Sequence, residues 1–295
     1  MTNNKLIIGI SSRALFNLEK ENEIYEQQGI EQYIQYQLNH ENEILKPGVA
    51  FNLVRKLLSL NERKELEDNN LSIEVILMSR SCPDISIRIF NSIEYYKLPI
   101  TRGIFTGGKP LAPYVKANGV DLYLSANEED VRQVLNNNIA AGRVFTNSTN
   151  TYDLEDKEVR IAFDFDCVLA NDEAENIYQS YGLQAFSDNE QIKSNIPMGA
   201  GPFKEFAVKL GKIQSLFNYD NTLIRIAICT ARNYPAHKRT IKTLRSWGIR
   251  VNEVYFLGGY SKAKALSAFN ADIFFDDSLK NIESTSQVVP SVQVL

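Results

Sequence analysis

The sequence predicts an α/β fold in which parallel β-sheets are covered by flanking helices. Short, almost wholly apolar runs alternate with longer amphipathic segments along the chain. A strand that is apolar on both of its faces is typical of a parallel sheet buried between helices. The chain has 295 residues, of which 44% are hydrophobic, and this is enough to fill two cores. The length therefore favours two domains over one.

In the first half, the predicted strands are apolar runs that end at polar or glycine-containing turns. They are LIIGIS (6–11), IEVILMS (73–79), IFTGG (104–108) and VDLYLSA (120–126). Apolar residues at helical spacing predict helices at 23–43, 50–67 and about 128–141. The segment 85–96 fits either type of structure, and its pattern favours a helix.

The second half repeats this alternation. Its predicted strands are VRIAFDFD (159–166), IRIAICTA (224–231), VYFLGG (254–259) and ADIFFDD (271–277). Helices are predicted at about 203–217 and 236–247, with a short one after Ser261. The polar stretch 146–158 has no periodicity and is the predicted linker. The predicted domains are therefore residues 1–147 and 148–295, with a small cap inserted at about 172–203.

The two halves resemble each other. The pattern F-x-G-G, followed by a helical stretch and a (V/A)-D-(L/I)-aromatic strand, occurs from Phe105 and again from Phe256. LIIGISSRALFN also aligns without a gap with RIAFDFDCVLAN. Together these alignments set Asp164, Asp166 and Asp276 against Ile10, Ser12 and Ser125. We therefore predict a duplication whose first half lacks the acids; chance similarity between two α/β halves is the alternative.

Composition excludes several classes of protein. Lys and Arg number 32 against 36 Asp and Glu, so no basic excess favours nucleic acid. The three cysteines lie in apolar surroundings, which is typical of free thiols in a reducing compartment. No apolar run is long enough for a membrane span or a signal peptide. We expect a cytoplasmic protein without a nucleic-acid or membrane partner.

Polar side chains follow the predicted strands of the second half at the point where each strand ends. They are Asp164, Asp166, Thr230, Lys262, Asp276 and Asp277. Because ligands bind at the carboxyl ends of strands in an open parallel sheet, these groups should converge on one edge. Clustered carboxylates repel one another unless a cation lies between them. Oxygen ligands suit Mg²⁺, and the predicted metal ligands are Asp164, Asp166, Asp276 and Asp277.

The spacing of the acids indicates their roles. Two residues apart at a strand end, Asp164 and Asp166 point the same way. We expect Asp164 to attack phosphorus and Asp166 to act as general acid and base. Thr230 would hold phosphoryl oxygens, and Lys262 would neutralise their charge. Each motif alone is weak, since acidic pairs are often helix caps or solvated loops, but their ordered combination favours a catalytic site.

These motifs resemble a known superfamily. FDFDCVLAND, ICTAR, GGYSK and FFDD are similar to the four motifs of the haloacid dehalogenase-like phosphohydrolases. The resemblance implies a Rossmann-like catalytic half with a small cap, preceded here by a related degenerate α/β half. More narrowly, the chain resembles the cytosolic 5'-nucleotidase type I family over most of its length, in segments such as YEQQGIEQYIQYQLNHENE, TGGKPLAPYVKA and NIPMGAGPFKEF. The family implies Mg²⁺-dependent hydrolysis of nucleoside 5'-monophosphates, AMP prominently.

Substrate contacts are expected outside the catalytic groups. The Gly/Pro-rich segment NIPMGAGPFKEF places four residues near the nucleoside or phosphate, or else forms an ordinary surface loop. The predicted substrate-binding residues are Phe165, Ala231, Arg232, Asn195, Gly199, Gly201 and Lys204. Phe165 stands where the animal members of the family have glycine, which leaves the base preference open.

The first half has no carboxylate to match the nucleophile, so we expect it not to hydrolyse anything. It keeps hydroxyls, cations and a glycine turn that suit a phosphate: Ser11, Ser12, Arg13, Ser79, Arg80, Gly107, Gly108 and Lys109. The family resemblance implies activation by nucleoside diphosphates and an oligomeric state. The expected role is a nucleotide-effector site or a subunit interface, and a purely structural half is the alternative. For the whole chain, a sugar-phosphate phosphatase and a non-catalytic nucleotide sensor are the rival functions.

Overall fold

In the computed structural model, which describes residues 4–148 and 153–295, ten strands form a single sheet with helices packed against it. The strands are β1 (Lys5–Ile10), β2 (Ser72–Ser79), β3 (Arg102–Phe105), β4 (Leu122–Ser125), β5 (Ala140–Val144), β6 (Val159–Phe163), β7 (Ile224–Thr230), β8 (Glu253–Phe256), β9 (Ile273–Asp276) and β10 (Ser291–Gln293). The predicted α/β class is confirmed, and the expected separate sheets are joined into one.

Thirteen helices are found within the described part of the chain. They are α1 (Ser12–Leu15), α2 (Glu19–Gln28), α3 (Ile30–Asn39), α4 (Phe51–Ser59), α5 (Lys64–Asp68), α6 (Ser86–Tyr95), α7 (Ala112–Ala117), α8 (Glu128–Leu135), α9 (Glu173–Ile192), α10 (Lys204–Gln214), α11 (His237–Ser246), α12 (Ala263–Phe269) and α13 (Leu279–Thr285). The ambiguous segment 85–96 is helix α6, as its pattern favoured.

The strand order repeats between the halves. The order is β3-β2-β1-β4-β5 in the first half, continued in mirror order as β10-β9-β6-β7-β8. Neighbouring strands within each half are parallel, whereas β5 and β10 are antiparallel, with Arg143 opposite Gln293. The strands of the two halves therefore run in opposite directions, and their carboxyl ends lie at opposite edges of the sheet.

The register of the paired strands shows which residues of the two halves correspond. Ile10 pairs with Leu124 in the first half, and Phe163 pairs with Phe275 in the second. The next residues along these strands set Ser11 against Asp164 and Ser125 against Asp276. The alignment that starts from Phe105 and Phe256 was right for Ser125. The alignment of LIIGISSRALFN was wrong by one position, since Ser11 and not Ile10 occupies the place of Asp164.

The core lies on both faces of the sheet. On one face, a single cluster that includes Ile8, Ile10, Ile161 and Phe163 runs through both halves. On the other face, each half has its own cluster, the first around Tyr123 and the second formed by residues such as Ala162 and Phe274. The predicted division at residue 147/148 stays a prediction, because both halves share one sheet and one face of the core.

Two element predictions were wrong in detail, and two strands were missed. The helix predicted over 128–141 ends at Leu135, and the strand β5 begins at Ala140. The strand β10 was not predicted, because three residues are too few to show a pattern. The helix predicted over 23–43 is divided by Gly29, whose φ of 84° interrupts it. Of the predicted linker, residues 149–152 lie outside the described residues.

Candidate active site

Asp164 stands where the buried strand β6 ends. Residues Val159, Ile161, Ala162 and Phe163 of this strand are fully buried, and the carboxylate that follows is only 8% exposed. Its Oδ1 accepts a hydrogen bond of 2.7 Å from the backbone N–H of Phe165. The chain then turns sharply, with a positive φ of 60° at Cys167. This turn presents the aspartate at the carboxyl end of the strand.

Lys262 links two acids from different strands. Its Nζ lies 2.9 Å from Asp164 Oδ2 and 2.6 Å from Asp276 Oδ2. Burial disfavours the charged form of this lysine, which is only 3% exposed, but the charges of the two aspartates outweigh burial and raise its pKa above the ordinary value. The ammonium group is therefore firmly protonated between two carboxylates.

Asp276 is oriented by the residues that follow it. Its Oδ1 accepts a hydrogen bond of 2.8 Å from the backbone N–H of Ser278, and both carboxylate oxygens accept from Asn281 Nδ2 at 3.1–3.2 Å. The neighbouring Asp277 is half-buried, and burial together with the charge of Asp276 raises its pKa to about 6. Sequence reasoning missed Asn281, which lies in the first turn of the helix after the acid pair.

Three acids form a cluster suited to a cation. Asp164, Asp276 and Asp277 each place one carboxylate oxygen within 4.8 Å of the others. Burial also raises the pKa of Asp164, although the charge of Lys262 opposes the shift. Burial thus disfavours the charged form of two of these acids, Asp164 and Asp277, and all three offer only oxygen atoms, which fits a hard divalent ion such as Mg²⁺.

Asp166 is held away from this cluster by an arginine. Arg232, two residues beyond strand β7, donates from Nε and Nη2 to the two oxygens of Asp166, both at 2.7 Å. The guanidinium also lies 5.0 Å from the ring centre of Phe165. The second aspartate of the D-x-D pair is thus fixed by a bidentate ion pair.

The cap is tied to the same arginine. Helix α9 is interrupted at Gly182, whose φ is 80°, and its second segment carries Glu190, which is 0% exposed. Glu190 pairs with Arg232 and, at 2.7 Å, with Arg239 of helix α11. Sequence reasoning missed Glu190 and Arg239, since 49 residues separate them and no local spacing indicates their contact.

The hydroxyl predicted to bind phosphate belongs to Thr230. Thr230 ends strand β7, is buried, and accepts a hydrogen bond of 3.2 Å from the backbone N–H of Arg232. Ala231 beside it is exposed. Phe165 is completely buried and packs against Trp247, with ring centres 6.4 Å apart, so its side chain is part of the core beneath the site.

The glycine-rich loop packs against the turn that follows the aspartate pair. Gly201 N–H donates to the carbonyl of Leu169 at 2.8 Å, and Asn171 N–H donates to the carbonyl of Gly199 at 3.0 Å. The remaining predicted residues have partners nearby. Asn195 is exposed and accepts a hydrogen bond from Lys242, while Lys204 pairs with Glu205.

The fold and the site define a class of protein: α/β chains that gather two spaced aspartates, a hydroxyl, a lysine and a further acid at the carboxyl ends of parallel strands. The 5'-nucleotidase family model matches residues 1–295, and the chain belongs to this family. It is similar to human cytosolic 5'-nucleotidase 1B, with 36% identity over 292 residues. The predicted family membership is confirmed.

The match has a defined extent. It covers 97% of this chain and 48% of the human protein, so the chain spans about half the length of the curated relative it matches. No solved structure matches the chain significantly. Within the described residues, no helix has both the length and the apolar character needed to cross a membrane.

Proposed function

We propose that the protein hydrolyses nucleoside 5'-monophosphates, AMP or a related nucleotide, to nucleoside and phosphate. The observation that carries the proposal is the contact of Lys262 with both Asp164 and Asp276, at the sheet edge where Thr230 also ends its strand. A buried ammonium beside an acid suits the attack of that acid on a phosphoryl group. Membership of the 5'-nucleotidase family supports the choice of substrate.

The reaction would proceed in two displacements. In the first, a carboxylate oxygen of Asp164 forms a bond to phosphorus while the bond from phosphorus to the nucleoside 5'-oxygen breaks. Asp166 gives its proton to that oxygen, and the nucleoside leaves. In the second, Asp166 takes a proton from water, whose oxygen attacks phosphorus. The bond from phosphorus to Asp164 breaks, and phosphate departs.

Charge on the transferred group would be met by three kinds of side chain. Lys262 supplies a fixed positive charge, and Thr230 supplies a hydroxyl. Asp164, Asp276 and Asp277 would hold Mg²⁺, which when bound neutralises phosphoryl oxygens. Asp166 was also predicted as a ligand, but its pairing with Arg232 supports a ligand set of the other three acids.

Asp166 needs freedom to carry a proton. Both oxygens of Asp166 accept hydrogen bonds from the guanidinium of Arg232, so the proposed transfer of a proton from one of these oxygens requires at least one of the bonds to open. Because Arg232 also contacts Glu190 of the cap helix, a cap movement on substrate binding is the proposed way to open it.

Three further proposals concern the setting of the reaction. We propose a cytoplasmic location. The human relative is named a cytosolic enzyme, and this supports the proposal. We also propose that the chain forms a homo-oligomer and that a nucleotide effector binds its first half. The human relative is about twice as long as this chain, so these properties need their own measurements.

The test is phosphate release from a panel of nucleoside 5'-monophosphates and sugar phosphates, with Mg²⁺ or with EDTA. The wild type should release phosphate from AMP or its relatives only with the metal. Asp164→Asn should release none, while Asp68→Asn, a change of an exposed acid in the first half, should match the wild type. Release from sugar phosphates alone would overturn the proposed substrate class. No release from any compound would favour a non-catalytic nucleotide sensor.

A further inference from the structure

A cavity of about 500 Å³ opens at the carboxyl ends of the first-half strands. It lies at the opposite edge of the sheet from Asp164, because the strands of the two halves run in opposite directions. Residues that follow β1, β2, β3 and β4 all line it, together with residues of α2 and α3. Its position in the first half is therefore the position of the candidate active site in the second.

The backbone frame of the two crevices is the same. Ser79 Oγ accepts a hydrogen bond of 3.2 Å from the N–H of Ser81, as Thr230 Oγ1 does from Arg232, also at 3.2 Å. The N–H of the residue after the strand, Ser11 or Asp164, donates in each case to the neighbouring strand at 2.8 Å. The backbone frame that we propose holds a phosphoryl group in the second half is thus present in the first half.

The side chains on this frame differ in charge. Ser11 stands in the place of Asp164, the proposed nucleophile, and Ser125 stands in the place of Asp276. Ser125 Oγ accepts a 3.1 Å hydrogen bond from the N–H two residues on, as the carboxylate of Asp276 does at 2.8 Å. Hydroxyls hold phosphoryl oxygens but neither attack phosphorus at neutral pH without a base nor gather a divalent cation.

Two arginines provide positive charge at the cavity. Arg13 pairs with Glu19 at 2.9 Å, and Arg80 donates to the carbonyl of Gly108 at 2.9 Å and approaches Asp130 at 3.4 Å. The side chain of Arg80 is 36% exposed. Since a guanidinium has five N–H donors, Arg80 can receive an anion without leaving these partners.

The acids that line the cavity repel an anion only weakly. Glu21 is buried and is neutralised by Arg88 at 2.7 Å. Burial raises the pKa of Asp130 above its ordinary value, although Arg80 opposes this shift. The wall therefore presents two guanidinium groups and acids that are already paired.

An aromatic surface completes the cavity. The rings of Tyr25 and Tyr33 meet edge to face, with centres 5.9 Å apart, and Ile30 lies beside them in the lining. Tyr25 and Ile30 are each 50% exposed. Exposed aromatic and apolar groups next to phosphate-binding groups fit the base of a nucleotide.

We infer that this cavity binds a nucleotide, with its phosphate towards Ser12, Ser79 and Arg80 and its base towards Tyr25, and leaves the phosphate ester intact. The inference gives the proposed effector a site. Any influence of that site on phosphate release rests on the function proposed above, whereas binding does not.

Cys82 offers a reporter of occupancy because it lines the cavity and is half-buried. The wild type would be treated with a maleimide in EDTA, with or without a nucleoside mono-, di- or triphosphate, and modification would be followed by peptide mass spectrometry. At least one nucleotide should slow modification of Cys82, and adenosine or inorganic phosphate at the same concentration should not. Equal rates with every nucleotide would overturn the inference, as would full protection by phosphate alone.

Binding variants locate the contact independently. Direct binding of the protective nucleotide to Asp164→Asn protein should weaken by about tenfold or more with Arg80→Met, which removes charge-assisted hydrogen bonds. Tyr25→Ala, at an exposed position with little risk to folding, should weaken it too. Lys116→Ala, which removes an exposed charge of the same half, should not. Unchanged nucleotide affinity in Arg80→Met and Tyr25→Ala would exclude the cavity as the binding site, whether or not the wild type releases phosphate.

Discussion

Lys56 and Asp272 form a buried ion pair that joins the two halves of the chain. Lys56 Nζ lies 2.8 Å from Asp272 Oδ1, and both side chains are almost fully buried. The pair has a counterpart, since Lys209 Nζ lies 2.6 Å from Asp121 Oδ1. In each case a lysine on a helix of one half holds the aspartate that precedes a strand of the other half.

Lys56→Met should lower the free energy of unfolding by about 3–5 kcal/mol, because it leaves Asp272 buried without its cation. Urea denaturation followed by circular dichroism would measure it. Lys209→Met is the matched control and should cost clearly less, since the side chain of Lys209 is 33% exposed. Adding Asp272→Asn to Lys56→Met should recover part of the loss, and strict additivity of the two changes would contradict the coupling.

Glu190→Gln should also destabilise the protein by about 3–5 kcal/mol, because Arg232 and Arg239 would lose the buried carboxylate they share. If Glu190 positions Arg232 over Asp166, kcat should fall more than KM rises. Asp188→Asn, at an exposed position of the same helix, should change neither quantity. A stable Glu190→Gln protein with wild-type kinetics would rule out the link between cap and acid.

Magnesium binding should weaken as the pH falls from about 7.5 to 5.5. The pKa of Asp277 is raised to about 6, and a carboxyl group must lose its proton before it binds a cation. Isothermal titration calorimetry at several pH values would measure the dependence, and Asp277→Asn should reduce it without abolishing it, because burial also raises the pKa of Asp164. An affinity that is constant over this range would remove Asp277 from the metal site.

Without the cation, protonation of Asp277 should stabilise the folded protein. Its folded-state pKa of about 6 exceeds the pKa of 3.8 that an aspartate has in water, so the folded state binds more protons between these values. This carboxyl group should therefore favour folding increasingly as the pH falls from about 6 towards 4. The difference in unfolding free energy between the wild type and Asp277→Asn in EDTA would show it, and a pH-independent difference would refute it.

Gly201→Ala should displace the loop that packs behind the aspartate pair. A Cβ atom at Gly201 would lie 2.4 Å from the carbonyl oxygen of Ala170. Because that oxygen belongs to the backbone, the clash can be relieved only if the backbone moves. A loss of about 1–3 kcal/mol is expected from such overpacking, together with lower kcat. Gly211→Ala is the control, because its nearest neighbour would lie 3.9 Å away, and a helical alanine there should raise stability slightly. Equal behaviour of the two variants would contradict the steric argument.

The catalytic acids and the threonine of the candidate site were predictable because each lies where an apolar run ends. Asp164, Thr230 and Asp276 all end strands that are buried on both faces. The same property explains the one-residue error in aligning β1 with β6. In a strand apolar on both faces, a shift of one position exposes nothing, so hydrophobicity does not fix the register.

Other features depend on contacts that leave no local pattern. The strands β5 and β10 are short and pair with each other across about half of the chain, so neither was predicted. The partners Arg232 and Glu190 lie on different elements, and only the folded chain brings them together. Their burial could not be read from residue type, because charged residues are seldom buried unless paired.

The antiparallel pairing of β5 and β10, in which Arg143 lies opposite Gln293, sets the positions of the two ligand entrances. It turns the two crevices away from each other, so each has its own entrance and neither shares a path with the other. A substrate can arrive and its products can depart at one edge while an occupant stays at the other, without steric competition. A signal between them has three kinds of contact through which to cross: the short seam between β5 and β10, the core that both halves share, and the ion pairs of Lys56 and Lys209.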